Sequence, residues 1–414
     1  MMPTPSRALY RNPSFTSIWI GEAASSLGGS FGTVANSWLL FQITGTGLEA
    51  ALGSMWLIYM LPSLLVQLVI GPYLDRWNKQ RVMLFSQIAR ALLFCFPLLM
   101  SLNGHLQPWH IFVVSLGNGL IQPLYVPSSM ALLPSLLEKS QLPQANAAID
   151  GTSRLMMFIG PPAGGLLVAL IGAEYTLVGI IALYFLSSAM LAVCSAPAAQ
   201  LGQPPRESWG KQLLAGYRYF FAQRELVWLS VFLSCVQFAV GVTMVLNLPY
   251  VAQELGGTSV TYGLFIAMFP LGYFLSSLLV PRLKHSFSLR FVMLGSIFLG
   301  GTTFLALSFV HHIGGALAIE LFAGITSPFF QVHSTTLYQR MVPAELRGRV
   351  FSMRLLIIRS VMPLGTLFGS YFAPTLGIRG IFAVIGGGIC VAALVGMVVP
   401  WFRFLGGGGE KGSA

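Results

Sequence analysis

Two glutamates, Glu22 and Glu320, stand deep within long apolar segments of a 414-residue chain that is only 8% charged. An ionised acid at the centre of a bilayer costs about 2.5–3.5 kcal/mol on insertion scales, so it is usually neutralised or paired. A buried carboxyl group can therefore bind and release a proton in each working cycle. We expect this role for Glu22, with a counter-ion for a cationic ligand or a structural ion pair as alternatives. For Glu320 we consider proton transfer, a gate and a structural role.

Other polar side chains recur at three- and four-residue spacing within the same apolar segments. On a helix with 3.6 residues per turn, each set forms one stripe. A stripe facing lipid would leave its polar groups unpaired, so the stripes should face each other or water. We interpret them as the lining of a binding cavity, with close helix packing through small residues as the alternative. The candidate lining residues are Asn36, Asn118, Gln122, Tyr125, Gln237 and Gln331.

Four arginines, Arg90, Arg154, Arg354 and Arg359, also stand in or near the apolar segments. Arg359 lies well inside a segment, where it would pair with an acid or attract an anionic ligand. Arg354 lies near a segment end, and we expect its long side chain to extend to the lipid headgroups. For Arg90 we consider helix packing and the same extension to the headgroups.

Membrane-spanning helices must position these residues, because the chain is too apolar for a water-soluble protein. It is 55% hydrophobic with a mean hydropathy of +0.75, and segments of about 20 apolar residues recur along its length. We predict an all-α membrane protein with twelve transmembrane helices. The predicted spans are residues 15–41, 48–70, 82–102, 109–133, 148–171, 174–196, 225–250, 259–281, 291–310, 313–336, 350–374 and 378–401.

Positive charges follow the short loops between these spans. If the N-terminus is cytoplasmic, the external loops hold a single basic residue, Arg379. Because basic loops are retained in the cytoplasm, this distribution predicts a multi-pass protein of the inner or plasma membrane with both termini cytoplasmic. The net charge of +11 then reflects topology in the lipid bilayer, and we expect no nucleic-acid partner.

The two halves of the chain repeat one pattern. Pro72-Tyr-Leu followed by Arg81-Val-Met-Leu84 resembles Pro281-Arg-Leu followed by Arg290-Phe-Val-Met-Leu294, and each loop joins the second and third spans of its half. Parallel six-helix repeats are typical of rocking transporters with a substrate site between the halves. We predict pseudo-symmetric six-helix bundles at residues 1–196 and 225–402, a cytoplasmic linker at 197–224 and a cytoplasmic tail at 403–414.

Motifs for other kinds of chemistry are not evident in the sequence. The four cysteines fall within apolar spans without metal-ligand spacing, so we expect neither disulfides nor a metal site. A Walker loop, a nucleophile elbow and a His-rich motif are lacking, which argues against an ATP-driven pump and a membrane-embedded enzyme. We expect no cofactor, no enzymatic activity and a monomeric chain.

Several motifs resemble those of the major facilitator superfamily. Gly71-Pro-Tyr-Leu-Asp-Arg-Trp-Asn-Lys-Gln-Arg81 resembles its signature between the second and third helices. Gly160-Pro-Pro-Ala-Gly-Gly165 resembles the motif typical of its drug/proton antiporters. The segments Arg11-Asn-Pro-Ser-Phe15, Leu142-Pro-Gln-Ala-Asn-Ala147 and Val342-Pro-Ala-Glu-Leu-Arg-Gly-Arg-Val350 resemble the macrolide-efflux branch, which also contains siderophore exporters.

The resemblance implies roles for specific residues. Gly71, Asp75, Arg76 and Arg81 would form a gating motif, in which Asp75 meets the N-terminus of the eleventh helix and holds the cytoplasmic side shut. Gly160, Pro161, Gly164 and Gly165 would bend the fifth helix and allow close packing. Related antiporters often carry an arginine in the fourth span, where this chain has none between Leu116 and Pro123.

The resemblance also implies a function. We expect proton-coupled export of hydrophobic or amphipathic small molecules, as in multidrug and macrolide efflux, by alternating access. The alternative within the same scaffold is a dedicated exporter of a siderophore or a translocator of a lysophospholipid.

Overall fold

The computed structural model describes residues 7–74, 77–138, 140–194, 217–279, 288–343 and 346–399, and within these ranges the regular structure is helical throughout. Short helices occur at Arg7–Tyr10, Gly71–Leu74 and residues 217–222. The long helices are α1 (Pro13–Ile43), α2 (Leu48–Val69), α3 (Lys79–Leu102), α4 (Pro108–Leu136), α5 (Leu142–Ile171), α6 (Ala173–Val193), α7 (Arg224–Pro249), α8 (Ser259–Leu279), α9 (Leu289–Phe309), α10 (Ile313–Met341), α11 (Arg347–Ser360) and α12 (Met362–Val398).

The prediction of an all-α membrane protein is confirmed. Ten helical stretches among the described residues are long and apolar enough to cross a membrane. The first helix, α1, is not among the ten, because glycine, serine, threonine and asparagine interrupt its apolar residues. Each predicted span nevertheless overlaps one of the long helices.

The predicted span 350–374 contains a short interruption. In the structure this region contains the end of α11 and the start of α12, which meet at Val361. Pro363 has no backbone N–H to give to the carbonyl of Arg359, so the helical ladder is interrupted there. Gly377, with φ 69° and ψ 161°, then divides α12 into two helical pieces, where the sequence predicts a break between two spans.

Capping residues fix several helix ends. The side chain of Asn12 accepts hydrogen bonds from the backbone N–H groups of Ser14 and Phe15 at the start of α1. The side chain of Asn78 likewise accepts a hydrogen bond from the backbone N–H of Arg81 in α3. Gly172 separates α5 from α6 with φ 87°, a conformation that only glycine adopts without strain.

The chain forms two compact units. The first comprises Met1–Gln203 with Gly256–Ala267, and within it α1 packs against α5 and α6, α2 against α4, and α3 against α4 and α6. The second comprises Pro204–Leu255 with Met268–Ala414, and within it α12 packs against α7 and α9, and α9 against α10. The functional boundaries that the sequence predicts, at residues 196 and 225, stay a prediction. The predicted tail and most of the predicted linker lie outside the described residues.

Glycines bring several pairs of helices into backbone contact, among them α5 with α8 and α7 with α12. In the first unit, a Cβ atom on Gly165 of α5 would overlap the carbonyl oxygen of Ser259 at the start of α8. In the second unit, Gly241 of α7 and Gly365 of α12 each lie against a carbonyl oxygen of the other helix. We refer to these contacts as the α5–α8 seam and the α7–α12 seam. Close approach of this kind replaces the hydrophobic driving force that helices lack in lipid.

An ion pair in the second unit ties α12 to the π-helical segment Tyr250–Glu254, which directly follows α7. Arg379 donates to Glu254 at 2.7 Å and to the carbonyl oxygens of Ser308 and Val310, which close the C-terminus of α9. Only 22% of the Arg379 side chain is exposed. Hydrogen bonds to charged groups contribute about 1.5–3 kcal/mol each when shielded from water. This arginine therefore stabilises three helix ends at once.

We expect Arg379→Ala to lower the thermal unfolding midpoint clearly. The control is Arg154→Ala, because the Arg154–Asp150 ion pair is more than half exposed and exposed pairs contribute about 0–1 kcal/mol. Thermal unfolding of both purified variants in one detergent measures the difference. Equal midpoints for the two variants would contradict the stabilising role of Arg379.

Candidate functional site

Glu22 and Tyr125 form a hydrogen bond between α1 and α4. The Tyr125 hydroxyl donates to Glu22 Oε2 at 2.8 Å. Tyr125 is 3% exposed, while Glu22 is half-buried. The two residues were predicted separately, Glu22 as a proton carrier and Tyr125 as a cavity residue, and the structure brings them together. A carboxyl group with one fixed donor and little water around it is suited to holding a proton reversibly.

Arg90 joins this pair from α3. Its guanidinium donates to Gln122 Oε1 and lies 5.3 Å from the ring centroid of Tyr125 and 5.8 Å from that of Tyr184. It also interacts electrostatically with Glu22. Arg90 is 5% exposed, so of the two alternatives considered for it the structure favours helix packing over extension to the headgroups. Aromatic faces and an amide oxygen stabilise the buried cation in place of the headgroups.

A cavity of about 170 Å³ lies beside this cluster, inside the first unit. Its walls come from α1, α2, α3, α4 and α6, and one side of it is lined by the predicted stripes of α1 and α4. The stripe residues in the lining are Gly29, Thr33, Asn36, Ser115, Asn118 and Gln122. The other lining residues are Gly32, Met55, Trp56, Tyr59, Arg90, Phe94 and Tyr184. The arrangement combines one cation, three side-chain amides and an aromatic wall, which is the usual composition of a small-molecule site.

The predicted residues of the second unit are spread over several helices. Gln237 donates to the sulfur of Met362, whereas Gln331 is exposed. Glu320 is half-buried on α10 and has no hydrogen bond or ion pair with the described residues. Arg359 is exposed near the end of α11. The structure therefore assembles a cluster from the predicted residues of the first unit and does not assemble one from those of the second.

Arg354 corrects an expectation about arginines. It is 4% exposed, donates to Ser334 Oγ at 3.0 Å and lies 4.2 Å from the ring centroid of Tyr338. Extension to the lipid headgroups, which its position near a segment end predicts, is therefore wrong. The Tyr338 ring and the serine hydroxyl hold the guanidinium inside the second unit instead.

The two motifs named from the resemblance are partly described. Gly71 lies in the short helix Gly71–Leu74, Arg81 is exposed, and Asp75 and Arg76 lie outside the described residues. In the α5 motif, Gly160 and Gly164 face Ser30 and Phe31 of α1. Pro161 and Gly165 of the same motif meet Gly263 and Ser259 of α8 across the α5–α8 seam. A side chain at these glycines would separate α5 from its neighbours.

Arg90 is the functional candidate that sequence reasoning undervalued. A cation in the middle of an apolar span was visible, and so was the lack of an arginine in the fourth span. Taken together, the two observations indicate that the cation of this site comes from α3 and not from α4. A metal site finds no support in the described part of the chain, where no three His, Cys, Asp or Glu side chains come together.

The sequence and the fold of this chain are similar to those of known proteins. A family model described as transmembrane secretion effector matches residues 4–404. Macrolide efflux protein A of Streptococcus pyogenes is 22% identical, over 93% of this chain and 95% of its own length. Enterobactin exporter EntS of Escherichia coli O1:K1 / APEC is 28% identical, over 70% of this chain and 68% of its own. The crystal structure of the nucleoside transporter NupG (D323A mutant) matches with a TM-score of 0.77 at 14% identity, covering 93% of this chain and 99% of NupG.

Proposed function

Because the chain belongs to the transmembrane secretion effectors of the major facilitator superfamily, a family of membrane transporters for small molecules, we propose that it exports hydrophobic or amphipathic small molecules by proton antiport. The transporter works by alternating access as a monomer. Its twelve transmembrane helices form two pseudo-symmetric six-helix bundles in the cell membrane, and both termini are cytoplasmic. Basic loop residues on one side support this orientation.

The observation that carries the proposal is the cluster of Glu22, Tyr125, Arg90 and Gln122 beside the cavity. When Glu22 is ionised, its charge balances that of Arg90 across a low-dielectric site. A proton on Glu22 removes that balance and leaves a net positive cluster. The charge state of one carboxyl group therefore changes the field in the cavity, which is the physical requirement for coupling a proton to a small molecule.

The gating motif and the fifth-helix motif belong to the same proposal. Asp75 closes the cytoplasmic side by contact with a helix N-terminus, where a carboxylate is stabilised by about 0.3–1 kcal/mol when exposed. Gly71, Arg76 and Arg81 shape and orient that loop. The support for these roles is the sequence resemblance, while the support for Gly160, Pro161, Gly164 and Gly165 is their close contact with α1 and α8.

A dedicated exporter of an oxygen-rich chelator is the second candidate. It is favoured by the buried Arg90 in the cavity wall, since a cation in a binding site repels cationic drugs and attracts oxygen ligands. The similarity to a protein named as an enterobactin exporter supports the same candidate. The two candidates share the coupling cluster and differ in cargo.

Transport into inverted membrane vesicles tests the proposal. The vesicle interior is acidified, and the uptake of a radiolabelled macrolide and of radiolabelled enterobactin is followed. We expect uptake of at least one cargo that requires the protein and stops when an uncoupler collapses the gradient. Vesicles without the protein give the background. Uptake that continues after the uncoupler would contradict proton antiport.

A further inference from the structure

The cavity in the first unit is lined by side chains whose hydrogen bonding is incomplete. Arg90 Nε, Trp56 Nε1 and Asn36 Oδ1 are buried polar atoms without a hydrogen-bond partner among the residues that the structure describes, and all three residues line the cavity. Arg90 and Asn36 are more than nine-tenths buried. Buried polar atoms are nearly always paired in folded proteins, and an unpaired one costs about 1–3 kcal/mol. Three such atoms around one cavity indicate a guest that supplies their partners after small side-chain rotations.

The unpaired atoms specify what the guest must offer. Arg90 Nε and Trp56 Nε1 are N–H donors, so they require an acceptor oxygen. Asn36 Oδ1 is an acceptor, so it requires a hydroxyl or another donor. A single group that carries a carbonyl or oxyanion next to a hydroxyl can accept from the two donors and donate to the acceptor.

The charge of the cavity wall restricts the guest further. Arg90 is the only charged residue in the lining, and Glu22, with which it interacts electrostatically, lies outside the lining. Its Nη2 donates to the neutral side chain of Gln122. A cationic guest would be repelled by this guanidinium and would leave both N–H donors unpaired. The site therefore favours a neutral or negatively charged guest.

The size and the walls of the cavity fit a single ring. A cavity of about 150 Å³ in another protein holds benzene, and this one measures about 170 Å³. Trp56 and Tyr59 meet edge to face on one wall, and Phe94 and Tyr184 stack at 5.8 Å on another. Flat aromatic faces of this kind bind ring systems by stacking.

We propose that the first-unit cavity is a binding subsite for a neutral or anionic ring that carries an oxygen acceptor beside a hydroxyl. Arg90 and Trp56 bind the acceptor, and Asn36 binds the hydroxyl. The inference rests on the proposed export function in one respect, because it takes this ring to be part of the exported molecule. It names the chemical class of cargo, oxygen-rich and not cationic.

Binding of small fragments to the purified protein tests the subsite without a membrane or a gradient. The probes are 2-hydroxybenzoate, benzoate and benzylamine, and saturation-transfer NMR at one fixed pH gives their dissociation constants. We expect 2-hydroxybenzoate to bind most tightly. Benzoate, which lacks the hydroxyl, should bind about fivefold more weakly, as expected for one lost hydrogen bond. Benzylamine should bind at least about tenfold more weakly, because it leaves the donors unpaired.

Two variants locate the site, and each has a matched control. Trp56→Phe keeps the aromatic wall but removes one hydrogen-bond donor. It should weaken the binding of 2-hydroxybenzoate about fivefold. Trp109→Phe, at a tryptophan that is 52% exposed and outside the cavity, should leave binding unchanged. Arg90→Gln should remove the preference for 2-hydroxybenzoate over benzylamine, while Arg154→Gln should retain this preference.

Benzylamine binding as tightly as 2-hydroxybenzoate, or unchanged 2-hydroxybenzoate binding in Trp56→Phe, would refute the subsite. A failure of proton-driven transport would refute the proposed function and leave these binding constants as they are. The two proposals can therefore fail separately.

Discussion

Replacing Glu22 with glutamine should abolish gradient-driven uptake into inverted vesicles while leaving exchange of labelled for unlabelled cargo in place. The glutamine side chain matches the carboxylate in size, and its oxygen can still accept the hydrogen bond from Tyr125. It cannot take up or release a proton. Uptake should therefore fall to the background of vesicles without the protein, whereas gradient-free exchange measures binding and conformational cycling and should remain.

Two further acids serve as controls for this result. Asp150→Asn changes an exposed acid in the same unit and should leave gradient-driven uptake intact. Glu320→Gln removes the second acid within an apolar span, which is half-buried and has no hydrogen bond or ion pair with the described residues. If Glu320→Gln abolishes uptake and Glu22→Gln does not, the proton is carried in the second unit. If neither substitution matters, proton antiport by a buried glutamate is wrong.

Replacing Gly165 with valine should produce the largest loss of stability among substitutions in the α5 motif. A side chain at this position would meet the backbone of Ser259 and Val260 in the α5–α8 seam, and neither backbone can rotate away. Overpacking of a closely packed interface costs about 1–3 kcal/mol. We expect a lower unfolding midpoint and less protein in the membrane, measured by fluorescence-detected size-exclusion chromatography after heating.

Gly151→Val provides the matched control on the same helix. Apart from the local backbone of α5, no atom of the described residues lies within 4 Å of the position that a Cβ atom would take at Gly151, so the same chemical change meets open space there. Its unfolding midpoint should stay close to that of the unmodified protein. Similar losses at both positions would show that valine weakens α5 by helix propensity alone and would contradict the seam.

The sequence was sufficient for the helices because their signal is local. The apolar length of each span is a property of consecutive residues, and the predicted spans overlap the long helices α1 to α12. The short interruption at Val361, inside the predicted span 350–374, also has a local cause in Pro363. The polar stripes of α1 and α4 identified one side of the cavity for the same reason, since helical periodicity fixes which residues share a face.

Contacts between helices could not be read from the sequence. Arg90 and Gln122 are 32 residues apart, and Tyr125 and Glu22 are 103 apart. Their pairing depends on the rotation and tilt of three helices relative to one another, which no single stripe determines. The burial of Arg354 could not be predicted, and that of Arg90 stayed one of two alternatives, because the sequence gives the depth of an arginine along a helix and not the aromatic rings beside it.

The α7–α12 seam has a consequence for handling the protein outside its native membrane. Gly241 and Gly365 place backbone against backbone, and the Thr366 hydroxyl donates to the Gly241 carbonyl at 3.1 Å. The seam leaves no gap into which an acyl chain or a detergent tail can insert, whereas exposed leucines such as Leu65 of α2 are solvated by whichever amphiphile is present. Changing the detergent should therefore alter the surroundings of α2 and leave deuterium uptake along the facing stretches of α7 and α12 slow.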